Sequence, residues 1–95
     1  MDFDKVVFSG HAVRRMFERA VDADSVGDVL RAGEVIAEYP DDKPLPSRLL
    51  LAFVGGRPLH VVAALDAETR VCHVVSVYEP DPGLWDEDFR RRRSP

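Results

Sequence analysis

One predicted helix carries an imidazole and three guanidinium groups on a single side. At about 100° per residue, the chain between Ser9 and Ala20 separates into an apolar arc and a polar arc. The apolar arc consists of Ala12, Val13, Met16, Phe17 and Ala20. The polar arc consists of His11, Arg14, Arg15, Glu18 and Arg19. The cationic side suits a phosphate, and the apolar side is free to pack on a sheet.

The length and composition indicate one small globular domain spanning residues 1–95. Of the 95 residues, 45% are hydrophobic and 32% are charged, and this length is near the lower limit for an unaided core. The formal net charge is -4, although residues 90–93 form a block of four arginines. An acidic body argues against sequence-blind nucleic-acid binding, which depends on many Lys and Arg contacts to phosphates. Any nucleic-acid contact therefore has to be local.

Simple features of the sequence disfavour several classes of protein. No apolar stretch approaches the ~20 residues of a membrane helix, and the start of the chain lacks the order of a secretory signal. We therefore expect a cytoplasmic protein without membrane contact. Cys72 is the only cysteine, which excludes an internal disulfide and predicts a buried thiol. His11, His60 and His73 lack metal-ligand spacing, so we expect no metal site and no cofactor.

The elements that must position these side chains begin with two helices. A short β-prone run, residues 5–8, precedes the first helix, and the Ser9 hydroxyl can cap that helix. A second helix is expected to begin at Asp22 or Asp24. It is expected to stop at Gly33, because glycine readily takes the left-handed conformation that closes a helix.

After the second helix the hydrophobic period becomes that of β-strands. Four runs are predicted: Glu34 to Tyr39, Arg48 to Val54, Pro58 to Asp66 and Val71 to Tyr78. Gly55-Gly56 indicates a two-residue hairpin, which sets Leu51 opposite His60. A five-residue turn after Leu65 then sets His60 opposite Ser76 and diagonal to Tyr78.

This register predicts two different sheet faces. His60, Ser76 and Tyr78 gather on the more polar face, whereas His73 falls on the apolar side. The helices pack on the apolar face, which contains Leu50, Ala52, Leu59, Val61, Val75 and Val77. The predicted fold class is α+β, with two N-terminal helices packed on an antiparallel four- to five-stranded sheet and a short C-terminal helix.

Two segments outside the sheet support this description. Residues 40–47 form a loop that three prolines stiffen, and long ordered loops are often functional. Asp81 as a cap and Pro82 at the first helical position indicate the start of the short C-terminal helix. Trp85 and Phe89, one turn apart, continue it. The arginine block that follows is expected to be a solvated tail or a grip for RNA.

Short motifs along nearly the whole chain carry a family resemblance. They are Phe8-Ser9-Gly10-His11-Ala12, Arg15-Met16, Glu18-Arg19, Tyr39-Pro40, Asp42-Lys43-Pro44, Arg57-Pro58-Leu59-His60-Val61-Val62 and Val77-Tyr78-Glu79-Pro80-Asp81-Pro82. With these motifs the chain resembles the small bacterial family of domain of unknown function 4258, which is similar to RelE- and MqsR-type toxins of toxin–antitoxin systems. The resemblance implies a RelE-like fold and endoribonuclease activity on messenger RNA, as in an mRNA interferase. It also implies a cognate antitoxin, often a small protein with paired Cys-x-x-Cys zinc motifs.

Metal-independent RNA cleavage by attack of the 2′ hydroxyl needs a base, an acid for the leaving 5′ oxygen, and cations around the phosphorus. We expect His11 or His60 to act as base or acid, and Tyr78 to donate a proton or hold the phosphate. Arg15, together with Arg57, is expected to stabilise the developing charge. The candidates for RNA binding are Arg14, Arg19, Lys43 and Arg57 for the backbone, and Tyr39 and Tyr78 for the bases.

Each candidate also has a structural explanation, and other functions stay open at this point. His60 can be a hydrogen-bonded core residue, Tyr78 a packing residue, and Glu18 an ion-pair partner of the neighbouring arginines. A free-standing ribonuclease toxin is expected to be basic, so the charge of -4 also fits a non-catalytic module that binds protein or RNA. An acidic toxin would instead act on the ribosome, which delivers the substrate. Edge strands in so small a sheet make a dimer plausible.

Overall fold

Seven elements follow one another along the computed structural model, which describes residues 1–94. They are β1 (Lys5–Phe8), α1 (Gly10–Arg19), α2 (Ala23–Ala32), β2 (Glu34–Tyr39), β3 (Ser47–Val54), β4 (Arg57–Asp66) and β5 (Val71–Tyr78). The predicted limits of β2 and β5 are confirmed, and those of β3 and β4 differ by one residue at their starts. The fold is α+β, with two helices and a five-stranded sheet.

The sheet is mixed, with the strand order β1-β5-β4-β3-β2. The strands from β2 to β5 form an antiparallel meander, whereas β1 pairs parallel with β5. The prediction of a purely antiparallel sheet is therefore wrong. The two helices carry the chain from β1 at one edge to β2 at the other, and the meander then returns to β1. No hairpin turn fixes the direction of β1 against β5, so no local sequence signal reports it.

Side chains at the helix starts satisfy the backbone N–H groups that lack a partner within the helix. The Ser9 hydroxyl accepts the Ala12 N–H at 3.0 Å, and the Asp22 carboxylate accepts the Ser25 N–H at 2.8 Å. The predicted Ser9 cap is therefore confirmed, and of the two predicted starts for the second helix, Asp22 and Asp24, the structure has Asp22 as the N-cap. Hydrogen bonding to Ser25 also lowers the pKa of Asp22, because it stabilises the charged carboxylate.

The helix ends differ from the prediction in one respect. Gly33 ends α2, but its backbone is extended, with φ -69° and ψ 155°, so the left-handed closure predicted there is wrong. Ala20 adopts that conformation instead and closes α1 with φ 53° and ψ 50°. At Gly33 a Cβ atom would overlap the Val29 carbonyl oxygen and lie 3.1 Å from that of Leu51. The position therefore needs glycine for space rather than for its dihedral angles.

Both helices cover one face of the sheet and enclose the core with it. The helix α1 packs on β5, and α2 packs on β3 and β4. The largest buried residues of this core are Val26, Val29, Leu30, Leu50, Leu59, Val61, Val74 and Val77. The predicted apolar face is confirmed for Leu50, Leu59, Val61 and Val77, and Ala52 packs at its margin. Within residues 1–94, no helix has the length and apolar character to cross a membrane.

Only part of the apolar arc of α1 faces this core. Ala12 is fully buried and Met16 packs at the core margin. Val13, in contrast, is 53% exposed and Phe17 is 89% exposed. The helix lies over β5 beside the short edge strand β1, so only a narrow strip of its surface meets the sheet. The expectation that the whole apolar arc packs on the sheet is therefore wrong.

The predicted register is right for one hairpin and wrong for the next. Leu51 lies opposite His60 across β3 and β4, as predicted. Between β4 and β5 the turn leaves four residues outside the strands instead of five, and His60 lies opposite Tyr78 instead of Ser76. His60, Ser76 and Tyr78 nevertheless share one face, because an extra residue in β5 restores the alternation.

That extra residue is Val75. Val62 pairs with Ser76, and the next residue of β4, Ala63, pairs with Val74, so that Val75 forms a bulge. Val75 is 41% exposed, which makes its assignment to the apolar face wrong. The bulge lets both Val74 and Val77 point into the core.

The same shift moves His73 away from the helices. His73 pairs with Ala64. Ala64 lies on the same side of β4 as His60 and Val62, because side chains two residues apart in a strand share a face. The assignment of His73 to the apolar side is therefore wrong. Cys72, its neighbour, takes the core position and is fully buried, as predicted for the thiol.

The C-terminal residues fold back on the sheet as an irregular segment, which we call the C-terminal strap (residues 81–93). The Asp81 side chain accepts the Gly83 N–H at 2.8 Å and the Asp81 carbonyl accepts the Trp85 N–H, so a local turn replaces the predicted C-terminal helix. Trp85 then forms an isolated antiparallel bridge with Arg92. Arg90 donates three hydrogen bonds of 2.9–3.0 Å from Nε and Nη2 to the Glu34 carboxylate at the start of β2. Arg90 and Arg92 are therefore held against the fold.

Candidate functional site

The sheet face away from the helices, here called the open face, is covered at both ends. On one side, residues 43–45 of the proline-rich loop line a cavity of about 240 Å³ with Ala64, His73 and Val75. On the other side, Trp85 and Phe89 of the strap contact His60. Val62 and Ser76 lie between these covers as a cross-strand pair. A ligand can approach the open face at this central strip.

The chain entering α1 brings His11 to the edge of this strip. Ser9 donates its N–H to the Val74 carbonyl at 2.9 Å and its hydroxyl to the Val75 carbonyl at 2.8 Å, which fixes the start of α1 on β5. His11 Nε2 then lies 3.2 Å from the Ser76 hydroxyl oxygen, and the ring is exposed. Because β1 ends opposite Val74, α1 flanks the rest of the β5 edge. The imidazole therefore stands where α1 meets the open face.

Three exposed guanidinium groups follow His11 along α1. Arg15 and Arg19 lie one and two turns beyond His11 on the same row, since residues four apart are neighbours on a helix. Arg14 lies on the adjoining row. Arg15 Nη1 is 3.7 Å from Glu18 Oε2, and both side chains are about half exposed, so this ion pair contributes little. The cationic side predicted for α1 thus continues directly from the His11–Ser76 contact.

His60 is fully buried, and both of its ring nitrogens are bonded within the protein. The Phe89 carbonyl can only accept, so Nε2 carries the hydrogen and donates it at 2.8 Å. Nδ1 is then the acceptor for the Tyr78 hydroxyl at 3.1 Å, and the Trp85 ring packs edge-on at 4.4 Å between centroids. Burial lowers the pKa of His60, and the hydrogen bond to Phe89 opposes this only in part. His60 therefore holds the strap on the sheet and does not face solvent.

Tyr78 is half-buried beside His60, and its one hydroxyl hydrogen points at that ring. Burial raises the pKa of Tyr78, the nearby Tyr39 adds to the rise, and Arg92 partly opposes it. A phenol in this state is a poor proton donor to a substrate. Of the four predicted catalytic residues, the structure pairs His60 with Tyr78 and places Arg15 one turn from His11. The two pairs are linked through β5. Ser76 contacts His11 and Tyr78 contacts His60, and these two β5 residues lie two positions apart on one side of the strand.

Arg57 is occupied by contacts within the fold. Its Nη1 donates to the Ala20 carbonyl at 3.2 Å, and its Nη2 donates to the Arg19 carbonyl. Its Nε donates to Glu79 Oε1 at 3.0 Å, just after β5. Arg57 thus ties the last turn of α1 to the end of β5, and a phosphate would have to displace these acceptors.

The remaining predicted residues lie toward the proline-rich loop. Lys43 is exposed and belongs to the cavity that His73 also lines. Tyr39 is 42% exposed and lines a larger cavity of about 640 Å³. Two residues near the site were not predicted as site residues: Ser76, which contacts His11, and Arg92, which lies 5.7 Å from the Trp85 ring centroid. The spacing of two residues between Ser76 and Tyr78 in a predicted strand could have indicated Ser76. No sequence signal indicates the strap conformation that holds Arg92.

A protein-family model described as Domain of unknown function (DUF4258) matches residues 8–79. The chain belongs to this family. The DUF4258 match begins just before α1 and ends just after Tyr78, so it includes the His11 edge and omits the strap. No curated protein and no solved structure matches the chain. Membership of the predicted family is confirmed, and the similarity to RelE and MqsR toxins stays a prediction.

Within the part of the chain described, no group of three or more His, Cys, Asp or Glu residues is arranged to hold a metal ion.

Proposed function

We propose that this protein is a metal-independent endoribonuclease toxin that cleaves messenger RNA, with His11 as the general base. The observation that carries the proposal is the exposed His11 imidazole, 3.2 Å from the Ser76 hydroxyl at the head of a row of guanidinium groups. An imidazole titrates near neutral pH, and guanidinium groups pair with phosphate oxygens in two-point contacts. A base beside a phosphate-binding surface is the minimum that RNA transesterification requires.

In this mechanism the 2′ oxygen bonds to the adjacent phosphorus, and the bond from phosphorus to the 5′ oxygen breaks. When His11 Nε2–H donates to Ser76, Nδ1 keeps the lone pair that takes the 2′ proton. Arg15, one turn along α1, and Arg14 beside it neutralise the charge that develops on the phosphoryl oxygens. The 5′ oxygen takes its proton from water, because Tyr78 directs its own proton to His60. The products are a 2′,3′-cyclic phosphate and a free 5′ hydroxyl.

The charge of the protein favours a substrate that is delivered to it. With a net charge of -4, the chain as a whole does not attract free RNA, and attraction is left to local groups such as the cationic row on α1. A ribosome supplies the remaining contacts to the message, so we propose cleavage on the ribosome. A cognate antitoxin, of the kind with paired Cys-x-x-Cys zinc motifs, would hold the enzyme inactive in the cell.

Controlled expression in a bacterial host tests the proposal. Wild type is compared with His11→Ala and with a matched His73→Ala variant, which alters an imidazole on the open face outside the α1 row. Growth, primer extension on messenger RNA and the chemistry of the new ends are measured. We expect wild type and His73→Ala to produce 5′-hydroxyl ends, and His11→Ala to lower the cleavage rate by about 10²- to 10⁴-fold, the usual contribution of general-base catalysis. Equal cleavage by folded His11→Ala would contradict the assignment of the base.

A second function is favoured by the state of His60 and Tyr78. Both His60 nitrogens are bonded and the Tyr78 proton is committed, so neither supplies the acid of a two-residue mechanism. This arrangement fits a non-catalytic module that binds RNA through α1. A module of this kind should bind RNA less tightly as the salt concentration rises. It should form no cleavage product, either from free RNA or from ribosome-bound RNA. Detectable cleavage that depends on His11 would exclude it.

A further inference from the structure

The cavity beside Tyr39 adjoins the proposed catalytic edge, although the mechanism above does not use it. Its volume is about 640 Å³, and its uncharged surfaces come from the Tyr39 ring, Pro40 and Val62. Val62 pairs with Ser76 on the neighbouring strand, and Ser76 contacts His11. Neighbouring strands lie about 5 Å apart, so the cavity and the His11 edge are within the span of a short stretch of RNA.

The rim of this cavity is acidic, in contrast to the cationic row on α1. Glu38 pairs with Arg48 at 3.5 Å. Asp42 accepts the Ser47 hydroxyl at 2.6 Å and the Lys43 N–H at 3.1 Å. These contacts within the fold occupy two of the three rim carboxylates. Asp41 is the third, and its exposed side chain has no hydrogen-bond partner among residues 1–94.

These charges decide which part of a nucleotide can enter. A phosphate is repelled by three carboxylates, whereas a nucleobase is uncharged and planar. An exposed aromatic ring is the surface on which proteins stack unpaired bases. A carboxylate only accepts hydrogen bonds, so it selects a base edge that carries an amino group. The cavity and α1 therefore suit different parts of the same strand.

We infer that the Tyr39 cavity binds one base of single-stranded RNA, stacked on the Tyr39 ring, and that Asp41 accepts a hydrogen bond from an exocyclic amino group of that base. The inference deepens the proposed function and rests on it for the class of ligand. Cytosine is preferred to uracil, because uracil presents a carbonyl oxygen where cytosine presents its amino group. Phosphate at α1 and base at Tyr39 place the strand across the open face.

Equilibrium binding tests the stacking contact without interference from cleavage. The His11→Ala protein is titrated into a fluorescently labelled short cytosine oligonucleotide. The same titration is made with two double variants, in which Tyr39→Ala or Tyr39→Phe is combined with His11→Ala. We expect Tyr39→Ala to weaken binding about tenfold, as loss of one base-stacking ring does, and Tyr39→Phe to bind normally. An oligonucleotide lacking its bases should bind all three proteins equally. Circular dichroism confirms that each variant is folded.

A second comparison tests the choice of base. Asp41→Asn removes the charge and turns a pure acceptor into a group that also donates, so the preference for cytosine over uracil oligonucleotides should disappear. Asp28→Asn on α2 is the matched control, since it removes the same charge from an exposed position on the helix side of the sheet. It should keep the preference that the parent protein shows.

The possible results separate this inference from the proposed function. If Tyr39→Ala binds as well as its parent, or if cytosine and uracil oligonucleotides bind equally to the parent, the inference is wrong even where His11-dependent cleavage is observed. If binding depends on Tyr39 but the protein with His11 intact yields no product on ribosomes, the inference holds and the ribonuclease proposal is wrong. Absence of any binding by these oligonucleotides also overturns the inference.

Discussion

The buried imidazole of His60 makes a testable prediction about stability and pH. His60 is fully buried, and its neutral form satisfies both ring nitrogens through Tyr78 and Phe89. Burial lowers its pKa in the folded protein, whereas the unfolded chain keeps the ordinary value near 6.5. Below that pH the unfolded state binds a proton that the folded state refuses. Stability must therefore fall as the pH drops below about 6.5.

The size of the effect follows from linkage. One proton taken up only on unfolding changes the free energy of unfolding by at most about 1.4 kcal/mol per pH unit. Between pH 8 and pH 7 His60 contributes almost no slope, and below pH 6.5 the slope steepens toward that limit until the pH reaches the lowered pKa of the folded state. Most carboxylates titrate below this window, so they contribute little within it. For a small domain whose total stability is about 5–15 kcal/mol, such a loss is easily measured.

Urea titrations at a series of pH values between 5.5 and 8 provide the assay, with wild type compared with His60→Gln. The glutamine variant is less stable throughout but lacks the slope below pH 6.5. Two control variants should retain the slope below pH 6.5. His73→Gln leaves His60 in place, and Tyr78→Phe keeps the His60 imidazole buried. Parallel curves for wild type and His60→Gln would refute the conclusion that a neutral His60 is locked beneath the strap.

Three other predictions follow from packing and capping. Gly33→Ala should lower the free energy of unfolding by about 1–3 kcal/mol in urea titrations, because a Cβ there overlaps the Val29 carbonyl. Arg57→Lys should speed hydrogen exchange in the last turn of α1, since a lysine cannot make all three of the contacts that Arg57 makes. Phe17→Ser should change thermal stability by less than about 0.5 kcal/mol, whereas Leu50→Ala should cost about 2–4 kcal/mol.

Local chemistry explains what the sequence predicts well. Ser9 and Asp22 act through hydrogen bonds to residues three positions away, so their capping roles are visible without the fold. Gly55-Gly56 likewise fixes the β3–β4 register, because both glycines take the positive φ that a tight hairpin requires. Strict alternation then assigns His60 to the correct face.

The failures arise where distant segments decide the outcome. The covering of His60 depends on Trp85 and Phe89 of the strap, and nothing near His60 in the sequence reports it. Asp81 carries the signals of a helix cap, yet its side chain satisfies the Gly83 N–H in a turn. The exposure of Phe17 depends on how α1 lies over β5, and the amphipathic pattern of the helix cannot show that.

The bulge at Val75 has a consequence for comparing this protein with its relatives. The half of β5 before Val75 is matched to β1, and the half after it is matched to α1. Val75 is the one residue between these halves without a partner in β4, so deleting it would leave Cys72, Val74 and Val77 together on the core side of a regular strand. A homologue with one residue fewer between the two halves should thus keep both the core face and the His11 contact, with a regular ladder in place of the bulge.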